Sequence, residues 1–367
     1  MSINRLFVPA LLLLAAASAE AGAAAVRFAG RDWLVAEGPC QSGNVCAPGN
    51  VWVDGEGLHL RLSTTPAGEF RAAAVESADY TRYGMHRFYV RGPIADLHRN
   101  VVLGLFTFRN RKDLRDNDFI DADLIPQGEG EIDIELTKWG DGTPGAANSH
   151  FTVQEGPPPP PAGNSSSNRF ELGDCSGTDC YTTHYFDWSA RRIRFKSFRG
   201  HSPEPPKGPG WSIHQWEYPR PYMAGKAVPR EALPKIIMNL YRAAPEDTSP
   251  GQVTEIIITD ADLPIERVPV ISTDSVRAVY GDTDSGFYFS AAYYDPDGDS
   301  PAVRQLNIGG AVHEMSLVSG SPSDGTYRFG PVAAVRAGMD YFFTFSDGHG
   351  GSARLPESGS FRLDTAR

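Results

Sequence analysis

"GEGEIDIELTKWG", residues 128–140, places Glu131, Asp133 and Glu135 at alternate positions with Ile132 and Ile134 between them. Side chains on a β-strand alternate between faces. The period of two therefore predicts a strand with three carboxylates on one face and Ile132, Ile134 and Leu136 on the other. Adjacent acids on such a face lie ~7 Å apart, close enough to disfavour full ionisation unless something compensates. A solvated acidic edge that blocks aggregation is the simplest use of such a row. The flanking runs argue against it, because "VVLGLFTF" at 101–108 and "HFTVQ" at 150–154 are rich in aromatic and aliphatic residues. Acids set among aromatics suit a sugar site. There one carboxyl stays protonated to donate to the glycosidic oxygen while another is ionised to attack the anomeric carbon, and their repulsion separates the two pKa values.

Outward from this stretch the same alternation recurs, in "GLHLRLS" at 57–63, "HRFYVRG" at 86–92, "RRIRFKSF" at 191–198 and "VTEIIITDADL" at 253–263. Each run is bounded by Gly, Pro, Asn or Asp, and no long stretch carries helical apolar spacing. The chain reads as all-β, with a sandwich or jelly roll as the expected architecture. From about Ser272 the texture shifts to short strands such as "GFYFSAAYY" and "DYFFTFSD" between Asp- and Gly-rich turns. Roughly 95 residues of this rhythm predict a second, smaller immunoglobulin-like β-sandwich. The expected division is a signal segment over 1–25, a main domain over 26–266 and the small domain over 272–367.

Two loops are expected. "EGPPPPPAGNSSSN", 155–168, reads as an exposed polyproline run followed by a polar tract. The Pro- and Gly-rich stretch from Arg199 to Pro234 carries Trp211, Trp216, Tyr218 and Tyr222, whose rings need burial or a flat ligand.

The chain has 367 residues and a formal net charge of -11, which argues against phosphate-backbone binding, so no nucleic-acid partner is expected. Residues 1–25 run from a polar start carrying Arg5 through an apolar stretch to several A-x-A cuts. They read as a secretory signal peptide too short to span a membrane. No later segment is apolar enough to span one, and a secreted or periplasmic monomer is expected. The four cysteines fall as Cys40 with Cys46 and Cys175 with Cys180. Two short-loop disulfides are the simplest assignment in an oxidising compartment, although three connectivities are open. "DPDGDSP" sets Asp295, Asp297 and Asp299 at alternate positions, a spacing that resembles calcium loops. It lacks the later Glu of an EF-hand and lies between strand-like runs, so it is read as an Asp- and Gly-driven turn. No metal ligand and no cofactor are assigned, with structural calcium the one ion that the spacing allows.

The segments "NVWVDGEGLHLRLS", "YGMHRFYVRG", "NVVLGLFTFRN", "GEIDIELTKWG", "THYFDWSARRIRFKSF" and "IIMNLYRAAP" follow one another over roughly 26–263. In kind and order they resemble glycoside hydrolase family 16, which includes lichenases, laminarinases, agarases and xyloglucan transglycosylases. The resemblance implies a curved, concanavalin-like jelly-roll sandwich with the acidic strand on the floor of an open cleft. It implies Glu131 as nucleophile, Glu135 as general acid/base and Asp133 as the residue that orients the nucleophile, in a retaining mechanism on a β-linked polysaccharide. A β-1,3- or mixed β-1,3-1,4-glucan is the expected substrate, with transglycosylation or non-catalytic glycan binding as the alternatives.

Phe106 and Phe108 stand where the family keeps aromatic cleft residues, and Trp139 follows the acids on the exposed side. Asn148, His150 and Tyr241 complete the expected substrate-binding set, His150 being equally readable as a structural histidine. Two positions depart from the family pattern: Ala74 in "AAVES" where a substrate-contacting Glu is usual, and Tyr241 where "NLW" is usual. Both leave the chemistry in place and bear on the mixed-linkage specificity. Retention needs ~5–5.5 Å between the working carboxyls. Positions i and i+4 of a strand lie ~13 Å apart at their Cα atoms, so Glu131 and Glu135 are expected to lean together over Asp133.

Overall fold

The acidic strand forms where the alternation places it, over Ile132–Leu136. It lies between the antiparallel strands Val101–Phe108 and Ser149–Gln154, with Asp133 opposite Phe106 on one side and Thr152 on the other. The computed structural model describes residues 24–109, 131–154, 165–219, 228–229, 233–243, 254–279, 286–332 and 338–363. All but the last two residues of the expected signal segment, the polyproline run at 157–161 and Tyr222 lie outside these.

From the acidic strand the sheet continues in both directions. On one side it runs through Val101–Phe108, Lys235–Arg242, Phe70–Ser77, Arg31–Val35 and Ala25–Phe28, and on the other through Ser149–Gln154 to Ser165–Phe170. A second layer is ordered Val51–Asp54, Gly57–Thr64, Thr254–Asp262, Gly84–Arg91, Tyr181–Ser189, Arg192–Arg199 and Ser212–Tyr218. Pairing of Ser63 with Arg71 joins the two layers into one hydrogen-bonded system, a sandwich of jelly-roll type.

The core fills the space between the layers. Ile132, Ile134 and Leu136 are fully buried there with Phe151, Phe186, Trp188 and Phe195. Phe151 of the first layer stacks on Phe195 of the second at 4.9 Å between ring centroids. Each such side chain contributes about 1.5–3 kcal/mol by leaving water, so the apolar half of the alternation anchors the acidic half in place.

Two segments expected as loops form strands. Ser165–Phe170 pairs with Ser149–Gln154 along its whole length. Its serines carry no strand propensity, and the ladder to an existing edge supplies the backbone bonds that a lone polar tract lacks. Ser212–Tyr218 extends the second layer, with Trp216 and Tyr218 turned inward at alternate positions, while Trp211 just before it is exposed. Cys40 is bonded to Cys46 and Cys175 to Cys180, resolving the three connectivities to the short-loop pair. No helix among the described residues is long and apolar enough to cross a membrane.

The chain divides into two compact units, with the C-terminal division between Pro264 and Ile265. The C-terminal unit has one sheet ordered Val270–Val279, Gly286–Tyr294, Asp324–Val332 and Ser316–Ser321. Its other sheet is ordered Ala311–Glu314, Val303–Ile308, Asp340–Ser346 and Ser352–Leu355. Its own core joins the two sheets, with Tyr293 stacked on Phe345 at 5.4 Å and Phe289 edge-on to Tyr341 at 5.2 Å.

Candidate active site

Strand alternation fixes what meets on the face of the first sheet opposite the core. One row across it reads Ala74, Asn239, Gly104, Glu135, His150 and Arg169, and the next reads Ile237, Phe106, Asp133, Thr152 and Ser167. Glu131, Asp133 and Glu135 line one cavity of about 80 Å³ with Phe106, Trp139, Gln154, Asn239 and Tyr241. A larger cavity of about 420 Å³ lies on the outer face of the second layer, around Tyr185, Arg194 and Gln215. Its charges answer one another, Arg194 bonding Asp187. The smaller cavity is the one with chemistry, because there three acids converge.

Asp133 is buried, whereas Glu131 and Glu135 are partly open. Burial, and then the charges of Glu131 and Glu135, raises Asp133 well above the ordinary carboxyl range, so it keeps its proton and donates it to Glu131. Burial pushes Glu131 up to about 8, Glu135 adds repulsion, and the bond from Asp133 opposes both. Glu135 is pushed up to about 7, again by burial. The Thr152 hydroxyl at 3.1 Å, the Trp139 indole N–H and the charge of Arg169 hold it down. The three titrate as one set, and the row carries few negative charges at neutral pH. Paired carboxyls of this kind supply a proton donor and a nucleophile or base side by side.

Trp139 stands at φ 48°, followed by Gly140 at 81°. A left-handed tryptophan costs roughly 1–2 kcal/mol, and its backbone N–H, bonded to the Thr137 hydroxyl at 3.0 Å, helps to hold that turn. The turn aims the ring into the cavity. Tyr241 is buried beside the acids, and burial and their charges raise its phenol far above the ordinary value, so it stays neutral.

Of the other expected residues, Phe106 lines the cavity opposite Asp133. Phe108 packs on Phe106 and Ile237 in a small apolar cluster beside it. His150 lies opposite Glu135 but is buried, and burial first, then Arg169, lowers it to about 4. It is a neutral imidazole bonded to the Thr137 backbone. Asn148 accepts a bond from the Leu172 N–H at 2.9 Å and clamps the strand start. Neither His150 nor Asn148 is among the residues that line the cavity.

Sequence reading missed Asn239. It is 1% exposed, lines the cavity, and neither Nδ2 nor Oδ1 has a hydrogen-bond partner. Gly104 makes room for it, since a Cβ there would stand 2.6 Å from Oδ1. An amide with both ends open toward a cavity matches sugar hydroxyls, which donate and accept. The alternation that turns Tyr241 toward the cavity puts Asn239 on the same face, and that signal was available in "MNLYR". Thr152, Gln154 and Arg169 were missed because only cross-strand register brings them to the acids.

Elsewhere, Asp54, Glu56 and His59 each bring one ligand atom within 4.8 Å of the others. His59 is already held on both sides, by Glu255 at 2.9 Å and Asp54 at 3.0 Å.

No protein-family model matches this sequence and no curated protein matches it. Among solved structures the chain is similar to the β-glucanase of Bacillus licheniformis, at 19% identity over 64% of this chain and 92% of that one, with a TM-score of 0.43. It is also similar to a family 16 glycoside hydrolase of Bacteroides ovatus in complex with a mixed-linkage product, at 14% identity, 63% and 94% coverage and a TM-score of 0.43. The laminarinase catalytic domain of Thermotoga maritima follows at 13% identity, 64% and 92% coverage and a TM-score of 0.41.

Proposed function

We propose that the protein is an exported retaining endo-glycosidase that hydrolyses a β-linked polysaccharide, a β-1,3- or β-1,3-1,4-glucan, and carries a C-terminal immunoglobulin-like module. The observation that carries this is the convergence of Glu131, Asp133 and Glu135 on one cavity with their proton affinities raised. Glu131 attacks the anomeric carbon while Glu135 donates its proton to the leaving oxygen. Water then releases the covalent glycosyl intermediate with Glu135 acting as base. Asp133, protonated, donates a hydrogen bond to Glu131 and holds it as the anion.

In the free cleft Glu135 has the lower of the two proton affinities, the reverse of the order these roles need. The difference is about one unit, worth about 1.4 kcal/mol. A glycosidic oxygen that accepts a bond from protonated Glu135 offsets that difference, since charge-free hydrogen bonds contribute about 0.5–1.5 kcal/mol. Trp139, Asn239 and Tyr241 hold the sugar.

Reducing-end release from a panel of glucans, galactans and xyloglucan, with proton NMR of the first anomer formed, tests this reading. Release of the β-anomer from a β-glucan is expected. The α-anomer, or affinity for every glycan with hydrolysis of none, would overturn it.

A further inference from the structure

One wall of the catalytic cavity comes from outside the sheet. Gln41 lines it together with the three acids, Asn239 and Tyr241. The residue belongs to the loop that the Cys40–Cys46 disulfide closes. That loop turns sharply, since Gln41–Gly43 is a single 3-10 turn in which Ser42 takes φ 53° and Gly43 φ 73°. A left-handed serine is uncommon and persists only where its surroundings fix it.

Here Asn44 fixes it. Asn44 is 2% exposed, and its backbone N–H and Nδ2 both donate to the Gln41 carbonyl, at 3.0 and 2.6 Å. The same Nδ2 donates to the Arg242 carbonyl at 2.7 Å, and Oδ1 accepts the Arg242 N–H at 3.2 Å. The turn is thereby tied to the residue after Tyr241, on the strand Lys235–Arg242 that also carries Asn239. By register Tyr241 and Val102 lie one row beyond Glu135, on the side away from Glu131. Disulfide and clamp together hold the Gln41 backbone at the Glu135 end of the acidic row. The Gln41 side chain is left unengaged: it is half-buried and bonds to none of the described residues.

We propose that Gln41 binds a neutral glycosyl unit next to the one on the acids, so that cleavage requires an unsubstituted sugar there, and that Asn44 and the Cys40–Cys46 loop position it. The assignment rests on the glycosidase reading above. An amide carries two donors and an acceptor, the complement of neighbouring sugar hydroxyls. Fixed in advance by a closed loop, it loses little freedom when the sugar arrives. No Lys or Arg is among the described residues that line the cavity. A sulfated or acidic sugar would therefore meet carboxyls and amides with no cation to receive its charge.

The test compares cleavage with binding in the full mature chain. Gln41→Ala should raise KM about tenfold on a soluble glucan with kcat held, the loss expected for two neutral hydrogen bonds. On β-gluco-oligosaccharides of increasing length the parent's kcat/KM should climb with each added unit, and the variant should lack one of those steps. Asn44→Ala, and Cys40→Ser combined with Cys46→Ser, should raise KM likewise, and neither should add to Gln41→Ala, because both act through it. Gln215→Ala, at the cavity on the outer face of the second layer, is the control and should leave both constants unchanged. Calorimetry with an oligosaccharide on Glu131→Gln, with and without Gln41→Ala, should show the same tenfold loss where no bond is cut. An unchanged KM in Gln41→Ala, an equal loss at every length, or additive losses would overturn the assignment while hydrolysis by the parent stands. Binding that depends on Gln41 in a parent that hydrolyses nothing would instead overturn the glycosidase reading and keep the sugar site. Should Asn44→Ala or the cysteine pair fail to fold, the length series and the calorimetry on Gln41→Ala decide.

Discussion

Glu131, Asp133 and Glu135 in one unit and Asp295, Asp297 and Asp299 in the other share one spacing, an acid at every second residue, and meet different fates. On the strand the backbone is committed to its neighbours, so the three side chains share a face and converge on a cavity. In the turn the backbone is free to bond the side chains. Asp295 captures two N–H groups of its own loop, and Asp297 turns to Arg267. Spacing becomes chemistry only where the ladder has already taken the backbone donors. The other carboxyls beside Asp295, Asp347 and Glu266, come from distant segments that no local pattern links.

The largest effect expected is at the two ends of the strand row. Glu131→Gln and Glu135→Gln should each lower kcat/KM by at least ~10³, since each removes a step that the other cannot supply. Small external nucleophiles such as azide should partly rescue Glu131→Gln and give an inverted glycosyl product. Activity retained in either variant would break the contrast with the turn. Next comes Gly104→Ala. The added Cβ displaces Asn239 rather than the acids, so KM should rise about tenfold with kcat nearly held, as initial rates on soluble glucan would reveal. A fall in kcat alone would move Asn239 from binding to chemistry.

The raised acids also tax stability. For Glu135 the folded-state pKa of about 7 exceeds the ordinary 4.5. The folded state therefore holds its proton more tightly, and the stabilisation is full below pH 4.5 and is lost as pH rises through about 7. Glu135→Gln removes that loss. The variant should match the parent at pH 4 and exceed it by about 1–2 kcal/mol at pH 8, the figure being discounted for partial exposure. Urea unfolding at the two pH values measures this, and equal stability at pH 8 would place the carboxyl in water.

Much of this was legible in the sequence, and the limits have physical causes. Alternation placed the acidic strand and its apolar face, because period two follows from backbone geometry alone. It also held enough to place Asn239 beside Tyr241. Ser165–Phe170 was not legible, since an edge ladder recruits polar residues that propensity assigns to loops. Thr152 and Arg169 reach Glu135 only through register, which depends on which strands become neighbours. His150 lies opposite Glu135 and Asn148 just before the same strand, but the local backbone claims both, at Thr137 and Leu172.

The smallest expected effect sharpens the comparison most, because it changes the middle acid of each row to the same residue. Asp133→Asn leaves an amide that still donates to Glu131 but loses the carboxyl's ability to redistribute its proton, and activity should fall ~10-fold to 10²-fold. Asp297→Asn keeps an oxygen for the Arg267 N–H and loses only the charge opposite a half-exposed guanidinium. Its cost should be about 0.5–1 kcal/mol, removable by salt, with hydrolysis unchanged. Thermal unfolding at low and high ionic strength beside an activity assay separates the two. A salt-independent loss at Asp297, or any loss of hydrolysis there, would mean that the turn acids do more than shape their loop.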